Sequence, residues 1–469
     1  MKILFIYKGR YHVRETITIE YLSSIAKEKG FKTNLIYDQD LFGITDNVYS
    51  KKCLNQLVLN KNRILKNISS YKPDFAVFID NFNRRKWNNE LNNFLKYSNI
   101  KTVLINQLSE LTFCNYDYVL NGEAEQVFQH FINALYHLHD FGPVFYDNSL
   151  VDLNSLPLSD KNLFEKYINL RNSYLIYASK GCPYSCSYCE ETLFKNKFTN
   201  KFFRLRSPDN IINELLHAKK KYQIKEVIFK DSVLTLNNKW INELLTLYKK
   251  YINIPYKCFG KVENFNLSIA KMLKESRCYC VEFGLQTFNE HLRKKILYRS
   301  EKIDQFKHAL CICDQIKLKY DIDHMFGIPG ETINDHIYAA KIYNQFKELN
   351  RIKCHNLVYY ENSSILKFAP LSIKNENNYR ADFFSDIAVK GKIKRINKSF
   401  QKFYKILPLL SNKKIINLLI KNNNWKIFNY IPEIIIILLQ LILALKNKDK
   451  RFFFYLKYYP LKIKKVIFN

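Results

Sequence analysis

The chain has 469 residues, with 74 Lys and Arg against 43 Asp and Glu, for a net charge of +31. That length makes two or three domains the expectation and is ample for a buried core. Eleven cysteines scattered over it exclude a small disulfide-stapled secreted fold and point to reducing surroundings, and no 18-residue uncharged apolar run argues for a spanning helix.

The first ten residues, MKILFIYKGR, hold a five-residue apolar run that reads as a buried strand rather than a signal peptide. From there to residue 140 strand and helix alternate. Ile3–Tyr7, Thr33–Tyr37, Phe75–Ile79, Thr102–Ile105 and Tyr118–Leu120 read as strands. Thr16–Lys29 and Glu123–Leu138 read as helices, the first with Ile19, Leu22 and Ile25 at helical spacing and Gly30 at its end. Such alternation predicts a doubly wound parallel sheet with helices on both faces. His12, in the first strand–helix loop, reads as a surface residue. Residues 141–172 contain Gly142, Pro143 and Pro157, keep no period, and read as a linker.

Tyr174–Ala178 is a strand, followed by Lys180–Cys189, KGCPYSCSYC. This loop carries Cys182, Cys186 and Cys189 in C-x3-C-x2-C spacing. Three thiolates from one short loop suit one face of an iron–sulfur cube, leaving one iron open to a ligand. A zinc site needs a fourth ligand that is not evident nearby, but it stays open on spacing alone, as do inert cysteines. Strand and helix then alternate again: helix 207–222, strand 226–229, helix 240–251, strand 256–259, helix 267–276, strand 280–284, helix 303–316 and strand 320–325, the fifth strand on this count. The repeats predict a partial (β/α)6 barrel over 173–375, with reactive loops at the strands' C-terminal ends. Cys278, Cys280, Cys311 and Cys313 read as core thiols.

KGCPYSCSYC resembles the cluster loop of the radical S-adenosylmethionine (radical SAM) enzymes, with Tyr188 matching the aromatic residue before the last ligand. The resemblance implies a [4Fe–4S] cluster on Cys182, Cys186 and Cys189. It also implies S-adenosylmethionine chelating the open iron, and a one-electron donor such as flavodoxin or ferredoxin. Phe229–Thr235 resembles the family's Phe-x-Asp-Asp-x-Phe-Thr, Glu282–Thr287 its Gly-x-Glu-Ser strand end, and Gly327–Glu331 its Gly-x-Pro-Gly-Glu turn. By resemblance, Tyr188, Asp231, Gln286, Gly327, Pro329 and Gly330 line the cofactor cleft, and Lys261 stands where the family often has Arg.

Residues 1–140 resemble the cobalamin-binding domain that precedes many such barrels, through Asp117–Glu125 (DYVLNGEAE). Two departures count against cobalamin. There is no Asp-x-His-x-x-Gly loop, and Asn106-Gln107 replaces the usual glycine pair, whose small size lets backbone approach a ligand. The domain is therefore expected to be degenerate.

From 376 to 469 the chain reads as helical and basic. Residues 391–469 hold eighteen Lys and Arg against Glu433 and Asp449. Glu433–Leu445 is apolar on nearly every side but too short to span a bilayer. With the aromatic, basic stretch 446–465 it suits an anionic membrane surface, nucleic acid, or a helix packed on the barrel. The expected protein is a cytoplasmic radical SAM enzyme, in contact with the inner membrane face through this tail. It acts on a small-molecule or lipid-like substrate by methyl transfer, rearrangement or cyclisation. The competing reading is a zinc-stabilised nucleic-acid-binding protein.

Overall fold

The computed structural model describes residues 1–8, 16–38, 61–80, 85–107, 115–137, 142–198, 202–371, 373, 391–410 and 413–449. The chain forms two units: Met1–Pro183 with Leu193–Lys225, and Tyr184–Thr192 with Glu226–Asn469.

In the first unit, β1 (Lys2–Lys8), α1 (Ile17–Glu28), β2 (Lys32–Asp38), α2 (Lys61–Tyr71), β3 (Phe75–Ile79), α3 (Arg85–Leu95), β4 (Lys101–Asn106), β5 (Tyr118–Gly122), α4 (Ala124–Tyr136) and β6 (Val144–Asp147) follow one another. The sheet is parallel throughout, in the order β2-β1-β3-β4-β5-β6. Its strands read as unbroken apolar runs because both faces are covered. Ile3, Phe5 and Tyr7 face α1 and α4, packing with Leu22, Ile25, Val127 and Phe131. Leu4 and Ile6 face α2 and α3, packing with Ile68, Leu91 and Leu95. The order reverses between β1 and β3, where open sheets of this kind bind ligands. Loops 9–15 and 81–84, and with them His12, lie outside the described residues.

Helix α3 went unread because four of its eleven residues are Asn, a poor helix former. Asn88 donates to the Ile79 carbonyl at 3.0 Å and Asn92 to that of Asn115 at 2.6 Å, so the NH2 group of each buried amide is bonded. The stretch expected as a linker supplies β6. It also supplies α5 (Asn162–Glu165), whose Leu163 and Phe164 join the layer under α1. Lys161 explains the missing period: it is fully buried, paired to Glu20 at 2.7 Å and bonded to the Leu175 carbonyl at 2.8 Å. There follow β7 (Tyr174–Ile176), β8 (Ser179–Lys180), α6 (Glu190–Lys195), β9 (Arg204–Leu205) and α7 (Pro208–Tyr222).

The second unit contains β10 (Val227–Phe229), α8 (Asn238–Leu247), β11 (Tyr256–Gly260), α9 (Leu267–Glu275), β12 (Cys278–Gln286), α10 (Glu290–Lys295), α11 (Ile303–Gln315), β13 (Tyr320–Phe326), α12 (Ile333–Tyr343) and β14 (Leu349–Asn356). Strands β10 to β14 lie side by side in chain order, all parallel. Asn237, Asn266, Asn289 and Thr332 cap the helices that follow the strands, each accepting a backbone N–H of the first turn. Both sheets with their covering helices make this an α/β chain, as the alternation implies. Strand β14 was not foreseen: Arg351, Lys353 and His355 alternate with Ile352 and Cys354, which hides it from a search for continuous apolar runs. Cys278, Cys280 and Cys313 are buried, but Cys311 is exposed, a correction to its reading as a core thiol.

The C-terminal region is helical: α13 (Gly391–Ile406), α14 (Lys413–Ile420) and α15 (Glu433–Lys446). Phe400 of α13 stacks on Trp425 with ring centroids 4.5 Å apart. Helix α15 buries Ile436, Leu443 and Ala444 and exposes Ile434, Leu438, Ile442 and Leu445 by 50% or more. No single described helix is long and apolar enough to cross a membrane; one pair, Lys414–Asn429 with Glu433–Lys446, bent by 120°, is so by length and composition only.

Candidate active site

Strand β7 ends at Ile176, and the cysteine loop starts instead from a two-residue antiparallel clasp, β8 against β9. Gly181 opens the loop at φ +84°, and a Cβ there would stand 2.3 Å from the Phe202 carbonyl oxygen, so both conformation and space demand glycine. Its neighbour Lys180 is held by the carboxylates of the Gly-Glu-x-Glu stretch, Glu123 at 3.1 Å and Glu125 in a shorter contact. Burial pushes the Glu123 carboxyl up, but Lys180 and Arg204 outweigh it and hold it at about 2.

Cys186 is buried and Cys182 and Cys189 half-buried, all three as thiols rather than disulfides. Around Cys186 the backbone is fixed by hydrogen bonds. The Cys189 N–H and Thr192 Oγ1 donate to the Cys186 carbonyl at 3.2 and 2.9 Å. Ser187 donates through N–H to the Leu297 carbonyl at 3.1 Å and through Oγ to that of Ile296 at 2.6 Å. Tyr188 packs on the apolar cluster that includes Leu292, Met325 and Ile328. The structure thus brings Tyr188 together with the turn containing Gly327, Pro329 and Gly330.

The sequence reading missed the residue that ties these parts together. Arg299 donates to Tyr188 Oη at 3.0 Å and to the Gly284 carbonyl at 2.7 Å, and its Nη1 lies 3.9 Å from Cys186 Sγ. It pairs with Glu301 at 2.5 Å, and Glu301 also takes Lys261 at 2.5 Å and Arg293 at 3.1 Å. Lys261 Nζ sits 3.5 Å from the centre of the Tyr184 ring, and Tyr184 donates to Glu263 at 2.7 Å. Three buried cations around one carboxylate give the loop a cationic backing, which suits an anionic group. The signal for Arg299 was present only as one basic residue among several between Arg293 and Lys302.

Burial alone would raise the Glu301 carboxyl. Arg299, Arg293 and Lys261 outweigh it and lower it from 4.5 to about 2. A carboxyl lowered in the folded state stabilises the fold above its ordinary value and ceases to as pH falls towards the folded one. Between pH 4.5 and about 2 this group should therefore withdraw on the order of 3 kcal/mol. Urea midpoints measured across that range check it; in a Glu301→Gln chain that component should be absent.

The remaining expected residues lie at strand ends. Gln286 closes β12 at φ +72°, buried, where β12 slips register against β13. A non-glycine residue in that region stores strain, which clusters at functional sites. Gly327 and Gly330 have φ of +80° and +84°, and the Gly327 N–H donates to Glu331 at 3.1 Å. Asp231 is buried in the turn after β10.

One face of the second sheet is charged, which sequence reasoning also missed. Lys257 of β11 pairs with Glu282 of β12 and, at 2.7 Å, with Asp321 of β13. Lys353 of β14 meets Glu282 at 2.7 Å, and His355 meets Asp323 at 3.2 Å. The available signal was a charge at alternate positions in otherwise apolar strands.

In the first unit, Asn106 ends β4 and its buried amide donates to Asn121 Oδ1 at 2.7 Å. Gly122 is demanded by β6, since a Cβ there would lie 2.2 Å from the Asp147 carbonyl oxygen. Asn106 and Asn121 thus bond to each other at the end of the sheet. The cysteine loop fits an iron–sulfur cluster in donor type and surrounding charge.

Residues 176–341 match the family model of the Radical SAM superfamily. A protein of Pyrococcus horikoshii called uncharacterized methyltransferase PH0819 is 27% identical over 237 residues, 46% of this chain and 50% of the relative. Cytidylyl-2-hydroxyethylphosphonate methyltransferase of Streptomyces wedmorensis is 20% identical over 168 residues, 34% of this chain and 30% of the relative. The chain thus spans half or less of these curated relatives. Among solved structures, the radical S-adenosylmethionine methyltransferase TsrM from Kitasatospora setae, with tryptophan substrate and a SAM analogue bound, shares the fold with a TM-score of 0.61. It is 13% identical, and the match covers 79% of this chain and 76% of that one. A second TsrM structure, with cobalamin and a [4Fe–4S] cluster bound, gives a TM-score of 0.60. With the cysteine loop at its start and the Gly-x-Pro-Gly turn near its end, the stretch 176–341 is a radical SAM domain.

Proposed function

We propose that the protein is a radical SAM methyltransferase acting on a small-molecule substrate. The observation that carries this reading is the buried cationic frame on the Cys186–Cys189 segment. It is joined there by the likeness to relatives named methyltransferases. Cys182, Cys186 and Cys189 hold the [4Fe–4S] cluster, and Tyr188, Asp231, Gln286, Gly327, Pro329 and Gly330 line the S-adenosylmethionine site. The cluster, when bound, supplies the electron that cleaves the sulfonium. The chain's own work is positional. Arg299 fixes Tyr188 and the end of β12, Glu301 holds Arg299, and the charged sheet face orients polar substrate groups. The working division is 1–140 with β6 and α5 joined to it from 141–172, barrel 173–375 and basic tail 376–469. A flavodoxin- or ferredoxin-like protein supplies the electron. The zinc-stabilised nucleic-acid-binding reading is not favoured. Anaerobic reconstitution with deuterated-methyl S-adenosylmethionine tests the proposal: labelled product from cell extract supports it. An iron-loaded protein that makes 5′-deoxyadenosine but transfers no label leaves a radical SAM enzyme of another reaction type.

Cobalamin affinity is a separate expectation. Because Asn106 replaces glycine and is bonded to Asn121, protein from cobalamin-supplemented cells should carry well under one equivalent, and Asn106→Gly should carry more. Stoichiometric cobalamin in the natural chain would show that Asn106 is no obstacle.

The enzyme works in the cytoplasm at the inner membrane face. The support is the exposed stripe Ile434, Leu438, Ile442 and Leu445 on α15, beside a strongly basic region. Each basic residue near an anionic leaflet contributes about 1 kcal/mol, screened by salt. In flotation assays the full chain should follow phosphatidylserine vesicles at low salt, and Leu438→Glu with Ile442→Glu should abolish this. No association at low salt would sink the idea.

A further inference from the structure

On the helix-covered side of the second sheet, three side chains converge away from the cysteine loop. His324 of β13, Glu331 of the following turn and His336 of α12 each offer one ligand atom, all within 4.8 Å of one another. His324 and His336 are only 1% and 2% exposed. Tyr343 Oη lies 2.8 Å from His324 Nδ1, which leaves Nε2 as the unbonded nitrogen of that ring. Glu331 Oε1 and His336 Nδ1 are likewise buried without a hydrogen bond. Glu331 Oε2 accepts from the Gly327 N–H at 3.1 Å and lies 3.7 Å from His336 Nε2. Phe326, Phe400 and Tyr404 pack against the imidazoles.

Buried polar atoms are nearly always bonded, and each exception needs a cause. His324 Nε2 and Glu331 Oε1 are two such atoms, on residues whose ligand atoms lie within reach of one ion. We propose that His324, Glu331 and His336 bind a divalent transition-metal ion, zinc by the chemistry of the donor set, which pins β13, its turn and α12 together. Two imidazoles and one carboxylate are a known zinc donor set. Tyr343 on the far nitrogen of His324 and Gly327 on Glu331 are the kind of outer partners that orient metal ligands. The three groups come from a strand, a turn and the helix that returns over them, so the ion would close a supersecondary unit.

The cysteine loop also binds metal, so the test removes it. The full chain carrying Cys182→Ala, Cys186→Ala and Cys189→Ala is stripped with chelator, loaded with zinc sulfate, desalted and assayed by plasma mass spectrometry. About one equivalent of zinc should remain, fall to background in added His324→Gln or His336→Gln, and raise the Tm. Cobalt loading of the triple-cysteine chain should give a visible d–d spectrum with no thiolate charge-transfer band. That measurement needs no histidine variant and so decides the matter if those variants misfold. No retained zinc and no cobalt spectrum would overturn the proposal, as would full zinc retention in a folded His324→Gln, His336→Gln chain.

Discussion

Replacing Cys186 with Ala should abolish iron loading and reduce 5′-deoxyadenosine formation to background, the largest effect expected of any single change. Two cysteines cannot hold a cluster that three hold with one iron open. The variant should fold, because the bonds that shape this part of the loop run through the Cys186 carbonyl, and its sulfur takes only the 3.9 Å contact from Arg299. The check is iron and sulfide content after anaerobic reconstitution, with circular dichroism as the control for folding. Four irons per chain in a folded Cys186→Ala protein would refute the ligand assignment.

Glu301→Gln should destabilise the second unit by about 3–5 kcal/mol, because a buried ion pair costs most when one partner is removed and the other stays. Here one carboxylate serves Lys261, Arg293 and Arg299, so its loss strands three cations. Arg299 would then hold Tyr188 and the Gly284 carbonyl less firmly, and cluster occupancy should fall too. Urea unfolding followed by fluorescence, with iron content in parallel, reads both effects. A change below about 1 kcal/mol, the scale of a surface pair, would show that the network is not buried in solution.

The reading of the chain from its residues was good where covalent chemistry or periodicity speaks locally. The five strands of the first sheet that run as continuous apolar stretches were found within two residues at their ends, and so was β13. Asparagine-rich α3 was missed because its buried amides donate to backbone elsewhere in the chain, as Asn92 does to Asn115. β14 was missed because its charges are neutralised by strands far away in sequence, as Lys353 is by Glu282. The site divides the same way. The three cysteines announce themselves by spacing, and Gly327 and Gly330 by turn chemistry. Arg299 and Glu301 matter through partners as far as 113 residues away, and nothing in a linear reading marks them.

The charged face of the second sheet has a consequence for inheritance. Lys257, Glu282, Asp321 and Lys353 come from four successive strands and neutralise one another, the first three buried and Lys353 27% exposed at its side chain. Losing one leaves an uncompensated buried charge, whereas exchanging the whole set for apolar residues of similar size is close to neutral. Single substitutions are therefore barred while joint ones are open. Among descendants of this chain these four positions should change in company or not at all, and a lineage that abandons one charge should have abandoned its partners as well.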